Sequence, residues 1–181
     1  MNYLPEPKDG WVVPVTISVS EDDKTFFQSK FRIILESLGS GPIPNIETLS
    51  VHGEWQGAGD DKYSDLNFKE RFIRLSEKTK DGPVTLCIHG GGYFTGSSAM
   101  ERTATLKLAQ FSNGRAFAVD YRLAPQAVFP APLIDVIIAY KYLIDPPAGA
   151  LHDAIDPSRI VIAGDSAGVL LVSNGANRRV V

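Results

Sequence analysis

The spacing of apolar residues changes along the chain, and each spacing predicts an element. Between Glu21 and Leu38, the residues Phe27, Phe31, Ile34, Leu35 and Leu38 recur at helical intervals, so an amphipathic helix is expected there. Ser20 ahead of Asp23 resembles a capping arrangement, and Gly39 supplies a stop. Residues 1–20 mix prolines with the β-branched run WVVPVTISV and read as an extended arm. The stretch GSGPIPN that follows the helix reads as a linker. Between residues 46 and 80 the pattern is ambiguous: ETLSVHGEW suits a strand, and FKERFIRLSEK suits either a helix or an edge strand.

After Gly82-Pro83 the pattern changes to short continuous apolar runs. VTLCI (84–88), AFAVDY (116–121) and IVIAG (160–164) have the composition of strands buried on both faces. Helical stretches separate them. Ser98 and Glu101 are spaced as a capping box ahead of a helix reaching about Phe111. Leu133, Val136, Ile137, Tyr140 and Ile144 form a second helical stripe that Pro146-Pro147 ends. Alternation of this kind predicts an α/β fold with a mostly parallel sheet and flanking helices. Three segments result: 1–45, an arm and amphipathic helix; 46–82, a stretch leading into the core; and 83–181, the core itself.

Composition narrows the function classes. The chain of 181 residues carries 18 Lys and Arg against 21 Asp and Glu, which leaves no basic surplus for nucleic acid or an anionic membrane surface. Hydrophobic residues make up 44%, enough for a real core and too many for a disordered chain. Cys87 is the single cysteine, so no intrachain disulfide can form. The N-terminal residues lack the apolar stretch of a signal peptide, no Asn-x-Ser/Thr acceptor occurs, and no run approaches the ~18 apolar residues of a transmembrane helix. A soluble cytoplasmic protein is the expectation.

Two motifs carry chemistry. The third core strand runs into Gly164-Asp165-Ser166-Ala167-Gly168, a G-x-S-x-G at a strand-to-helix junction. So sharp a turn needs glycine at its flanks and leaves the serine hydroxyl exposed at the strand end. Chance alone produces this pattern in roughly one chain in twenty of such length, so its placement after a buried strand matters more than the letters. The first core strand leads into His89-Gly90-Gly91-Gly92-Tyr93. Consecutive glycines let backbone N–H groups approach a substrate oxygen, which is what a tetrahedral oxyanion requires. The run has neither of the glycine spacings of phosphate-binding loops. Both motifs lie at the carboxyl ends of strands, where open parallel sheets bind ligands. Together they point to acyl transfer with Ser166 as nucleophile.

HGGGYF, DYRLAPQAVFPAPLID (120–135) and GDSAG, in that order, resemble the hormone-sensitive lipase branch of the α/β-hydrolases over about residues 83 to 168. The resemblance implies the N-terminal part of an α/β-hydrolase fold and a serine esterase or lipase chemistry on small apolar esters or amides, without cofactor or metal. Carried onto this chain, Ser166 is the nucleophile, the N–H groups of Gly91, Gly92 and Ala167 form the oxyanion hole, and His89 with Gly90 shapes the loop. Asp120, Arg122 and Pro125 are scaffold by the same resemblance, and the region before residue 83 holds cap-like elements.

The chain departs from that family where the triad is completed. A serine needs a base and the base an orienting acid, which in this fold follow in the order Ser, Asp or Glu, His. Fifteen residues follow Ser166 and contain neither histidine nor acid, so no triad acid and no triad histidine is assigned. Upstream, His152 lies in the loop entering the Ser166 strand, roughly 16 Å from its far end at ~3.3 Å per residue, and reads as a surface residue. His52 sits in the ambiguous segment. Cys87 reads as core packing. The tail, with Asn174, Gly175 and Asn177, suits a long helix poorly, and Val172-Ser173 is what GTAAGT, a eukaryotic intron start, would encode. The expectation is a longer hydrolase truncated after the nucleophile, inactive as written and poorly soluble through the exposed edge of IVIAG. A ligand-binding module of the same fold, like the gibberellin receptors, and a nonfunctional fragment remain the alternatives.

Overall fold

A computed structural model describes residues 10–37, 39, 47–59 and 65–175, with the side chains of 172–175 excepted. Leu38, most of the linker at 40–46 and the end of the tail, including Asn177, lie outside the described residues.

The arm forms strand β1 (Gly10–Ile17), and the stretch after it forms helix α1 (Glu21–Ser37). Ser20 begins that helix as its spacing suggests: its Oγ accepts the Asp23 N–H at 3.1 Å and donates to the Asp23 carboxylate at 2.9 Å. Glu21, Asp22 and Asp23 place negative charge at the positive end of the helix dipole. Phe27, Phe31 and Leu35 are buried, but Ile34 is 49% exposed, so the inward stripe is narrower than its sequence implies. Gly39 adopts φ +64 as the chain leaves the helix.

In the ambiguous segment, Val51–Ala58 is strand β2 and Phe68–Lys78 is helix α2. A reciprocal cap decides the second: Asn67 Oδ1 accepts the Glu70 N–H at 3.0 Å while Glu70 accepts the Asn67 N–H at 3.1 Å. The remaining elements are β3 (Val84–Ile88), α3 (Arg102–Phe111), β4 (Arg115–Asp120), α4 (Ala131–Ile144), β5 (Ile160–Gly164) and α5 (Ala167–Gly175). The capping box expected at Ser98 and Glu101 does not form. Glu101 makes no side-chain cap, and Ser98 instead donates from N and Oγ to the Asp120 carboxylate, at 2.6 and 2.9 Å.

The strands form one sheet in the order β1-β2-β4-β3-β5. β3 runs parallel to β4 and β5, whereas β2 is antiparallel to both β1 and β4. The arm is therefore an edge strand of the same sheet as the core. Register gives the two faces different roles. Val13, Trp55, Phe117, Leu86 and Ile162 fall on one line and share a large core with Phe72, Ile134, Ile138 and Leu143. The opposite face, under α3, carries Ala118, Cys87 and Ala163 in one row and Ala116 and Thr85 in the next. Small residues there leave a cavity of about 150 Å³ between α3 and the ends of β3 and β5. Burial pushes the Cys87 thiol up to about 12, so it packs and does not react.

α4 is apolar nearly all round, with Leu133, Ile134, Val136, Ile138, Ala139 and Leu143 buried and Ile137 and Tyr140 at the margin. β5 takes the edge position expected of it, but it is not buried on both faces. It pairs with β3 alone, and Val161 is 51% exposed, so IVIAG is a half-covered edge among the described residues.

Candidate active site

Ser166 stands directly beyond β5 with φ +46, a left-handed conformation that a side-chain-bearing residue adopts at a cost of about 1–3 kcal/mol. The turn is closed by Gly168 N–H donating to Asp165 O at 2.7 Å and Val169 N–H donating to Ser166 O at 3.1 Å. Ala167 opens α5 immediately after. A Cβ at Gly168 would lie 2.2 Å from the carbonyl oxygen of Ile88 and 3.0 Å from that of His89. The elbow therefore rests directly on the end of β3, where the glycine loop begins. A Cβ at Gly90 would likewise lie 2.3 Å from Asp165 Oδ2. The fold thus places the two motifs, seventy-odd residues apart in sequence, in contact.

The glycine loop keeps an unusual backbone. Gly91, Gly92 and Tyr93 have φ of +106, +62 and +69 in succession. Gly91 O accepts from the N–H groups of Phe94 and Thr95 at 3.2 and 3.1 Å. His89 is buried, its Nδ1 lies 2.7 Å from Gly90 O, and its ring stacks on Tyr121 at 4.1 Å. A carbonyl can only accept, so Nδ1 carries the proton in that contact. The Tyr121 hydroxyl donates to His89 O at 2.7 Å and Gly90 O at 3.3 Å. Burial, with Tyr93 and Asp165 nearby, raises this phenol to about 12. Among the described residues the N–H groups of Gly91, Gly92 and Ala167 donate to no protein acceptor, and Ser166 Oγ makes no hydrogen bond.

The second loop is tied down by charge. Arg122 grips Asp135 of α4 through Nε at 2.9 Å and Nη2 at 2.8 Å, adds its own backbone N–H at 2.8 Å, and reaches Glu47 O with Nη1. Burial pushes the Asp135 carboxyl above its ordinary range against the pull of Arg122. Beside this loop lies a groove of about 540 Å³, lined by Leu49, Tyr121, Arg122, Leu123, Val128 and Phe129.

One network escaped the sequence reading. Glu54 of β2 pairs with Arg102 of α3 through Nε at 2.8 Å and Nη2 at 2.7 Å, and also accepts from Gln56 Nε2 at 2.7 Å. Gln56 in turn accepts from Thr105 and donates to Ser98 O. Its signal was available as two polar residues at a spacing of two in VHGEWQGA, facing an Arg and a Thr three apart.

The histidines do not gather at Ser166. His52 lies on β2 opposite Asp120 and contacts Thr16 Oγ1 at 3.1 Å. Three strand spacings separate β2 from β5, roughly 14 Å. His152 is not the surface residue its loop suggested. Its ring packs against Trp55 and Tyr142, with centroids 5.1 and 4.6 Å away. Burial, reinforced by Arg115, lowers its pKa to about 4. The unfolded chain takes up a proton near 6.5 while the folded one resists until about 4. Stability is therefore full above 6.5 and lost as pH falls towards 4, by about 3 kcal/mol in all. Urea midpoints at pH 7 and pH 4.5 should differ accordingly in the native chain, and the difference should shrink in His152→Phe; an unchanged difference in the variant contradicts the assignment. Among the described residues no group of three His, Cys, Asp or Glu side chains could hold a metal ion, and no helix is long and apolar enough to cross a membrane.

Comparison with known proteins agrees with the motifs. The sequence pattern of one family, described as alpha/beta hydrolase fold, matches residues 85–179. An ethyl acetate hydrolase of Pseudomonas putida is 38% identical over 111 residues, covering 59% of this chain and 34% of its own. Neutral cholesterol ester hydrolase 1 of Mus musculus is 39% identical over 114 residues, covering 59% of this chain and 28% of its own. Among solved structures, an esterase from the bacterial hormone-sensitive lipase family superposes with a TM-score of 0.52 at 32% identity, over 87% of this chain and 44% of that one. A hyperthermophilic esterase of Pyrobaculum calidifontis gives 0.54 at 25%, over 88% and 48%. The chain spans about a third or less of these curated relatives and less than half of these structures.

Proposed function

The chain belongs to the alpha/beta hydrolase fold family, with its likeness to the hormone-sensitive lipase branch, and on that premise we propose that it carries the nucleophile and oxyanion-binding half of a serine carboxylesterase. The observation that supports this most is the contact between elbow and glycine loop at the ends of β5 and β3. It gathers a strained, exposed Ser166 and the unengaged N–H groups of Gly91, Gly92 and Ala167 at one end of the sheet. In this reading Ser166 Oγ attacks the ester carbonyl, and the three N–H groups receive the oxygen on which charge develops. The groove beside Tyr121 is within the volume range of small-molecule sites, and its Leu49, Leu123, Val128 and Phe129 suit an apolar acyl or alcohol group. His89 shapes the loop, and Asp120 and Arg122 hold the strands and the second loop beneath it. The base that takes the Ser166 proton is not among the described residues.

Hydrolysis of p-nitrophenyl acetate and butyrate by the chain, compared with Ser166→Ala, tests the assignment. With imidazole added as the missing base, a Ser166-dependent release of p-nitrophenolate is expected with both esters, and little or none without it. Identical rates in the two proteins with imidazole present argue against the assignment, and saturable ester binding without any acyl transfer would favour a binding module instead.

A further inference from the structure

We propose that Tyr121 is a positioning residue for the oxyanion hole: its hydroxyl fixes the peptide between Gly90 and Gly91 so that the Gly91 N–H faces the site. The inference rests on the esterase reading above and adds to it a residue outside the HGGG and GDSAG motifs. The physical link is peptide planarity. In a trans peptide the C=O of one residue and the N–H of the next point in opposite directions. Whatever holds the Gly90 carbonyl inward therefore turns the Gly91 N–H outward. Two donors converge on that carbonyl, His89 Nδ1 at 2.7 Å and the Tyr121 hydroxyl at 3.3 Å, and the same hydroxyl holds the preceding carbonyl of His89 at 2.7 Å. The Gly91 carbonyl is held separately by Phe94 and Thr95, which aims the Gly92 N–H by the same rule.

A polyglycine segment has little conformational preference of its own, so these external bonds supply the direction. The Tyr121 ring adds a second constraint by stacking on His89 at 4.1 Å and 12° between planes, which keeps Nδ1 aimed at Gly90 O. The phenol also stays a donor: burial holds it protonated to about 12. Preorganisation of this kind affects the step in which charge forms on oxygen far more than it affects binding of a neutral ester.

The test is acetylation of Ser166 by p-nitrophenyl acetate in the full chain with added imidazole, followed by mass spectrometry of the peptide containing Ser166. In that step the Oγ–acetyl bond forms, p-nitrophenolate leaves, and the Oγ proton passes to imidazole. Tyr121→Phe keeps the ring and removes the donor. It is expected to lower the limiting acetylation rate about tenfold and to leave the half-saturating ester concentration unchanged. A limiting rate equal to the native chain's overturns the proposal while leaving the esterase reading intact. Failure of the native chain to exceed Ser166→Ala removes the esterase reading, and this proposal with it. Should Tyr121→Phe not fold, 3,5-difluorotyrosine at position 121 decides the matter, because that phenol ionises well below tyrosine's. Acetylation should then fall with rising pH as the donor is lost, a break absent from the native chain; coincident profiles overturn the proposal.

Discussion

Gly168→Ala is expected to lose more than about 3 kcal/mol of stability, a fall in Tm of at least 6 °C or so, with loss of any Ser166 reactivity. The reason is steric and has nothing to do with a left-handed conformation. The added Cβ would stand 2.2 Å from the Ile88 carbonyl oxygen and 3.0 Å from the carbonyl carbon of the same residue. Neither atom can yield as a side-chain tip would, because Ile88 ends the interior strand β3, paired with β4 on one side and β5 on the other. Relief requires the start of α5 to lift from the sheet, carrying Ala167 and the Ser166 hydroxyl away from the glycine loop. Gly149 provides the contrast. Its φ is +85, but nothing stands within 4 Å of an added Cβ, so Gly149→Ala should cost about 1 kcal/mol and leave the site alone. Thermal melts of the two variants separate crowding from conformation; equal losses contradict the packing of elbow on strand.

The second large effect is expected at Glu54 and Arg102. Their side chains are 8% and 12% exposed, and the pair is bidentate. Arg102→Ala leaves the Glu54 carboxylate with Gln56 as its remaining donor in a mostly buried position, at an expected cost of 3–5 kcal/mol by the general behaviour of broken buried pairs (about 3 at the exposed end of that range). Replacing both partners by apolar residues, Glu54→Leu with Arg102→Met, removes the stranded charge. The double variant should therefore be more stable than Arg102→Ala, although it still loses the Gln56 contact. Urea unfolding of the three proteins checks this order. A double variant less stable than the single one would show that the network contributes more through its hydrogen bonds than it loses through desolvation. Because Gln56 also donates to Ser98 O and Ser98 binds Asp120, the same variants report whether damage under α3 spreads to the carboxyl end of β4.

Most of the framework was legible in the sequence because each element obeys a local rule. VTLCI is buried at every position, and its continuous apolar run said so. Ser20 caps α1 through the spacing seen in the sequence. The two motifs were placed at strand ends, and the fold brings those ends into contact. What was not legible depends on neighbours distant in the chain. Ser98 had the spacing of a helix cap, but Asp120, twenty-two residues on, offers a charged acceptor and takes the hydroxyl. IVIAG was expected at the sheet edge, but its continuous apolar letters read as burial on both faces, and the 51% exposure of Val161 depends on which elements cover it. His152 reads as a polar loop residue because nothing in its surroundings in sequence announces Trp55 and Tyr142. Tyr121 was hidden inside a longer motif, where its hydroxyl's partners, His89 O and Gly90 O, belong to another strand end.

In the proposed function, Ser166 and the glycine loop form an acyl-transfer site whose base lies outside the described residues. Acetylation of the intact chain by p-nitrophenyl acetate, mapped by peptide mass spectrometry with and without imidazole, tests it most directly. Acetyl transfer is expected to concentrate at Ser166, to rise with imidazole concentration, and to vanish from that peptide in Ser166→Ala. Acetylation spread evenly over other serines and lysines, with Ser166 no faster than the rest and indifferent to imidazole, would contradict it.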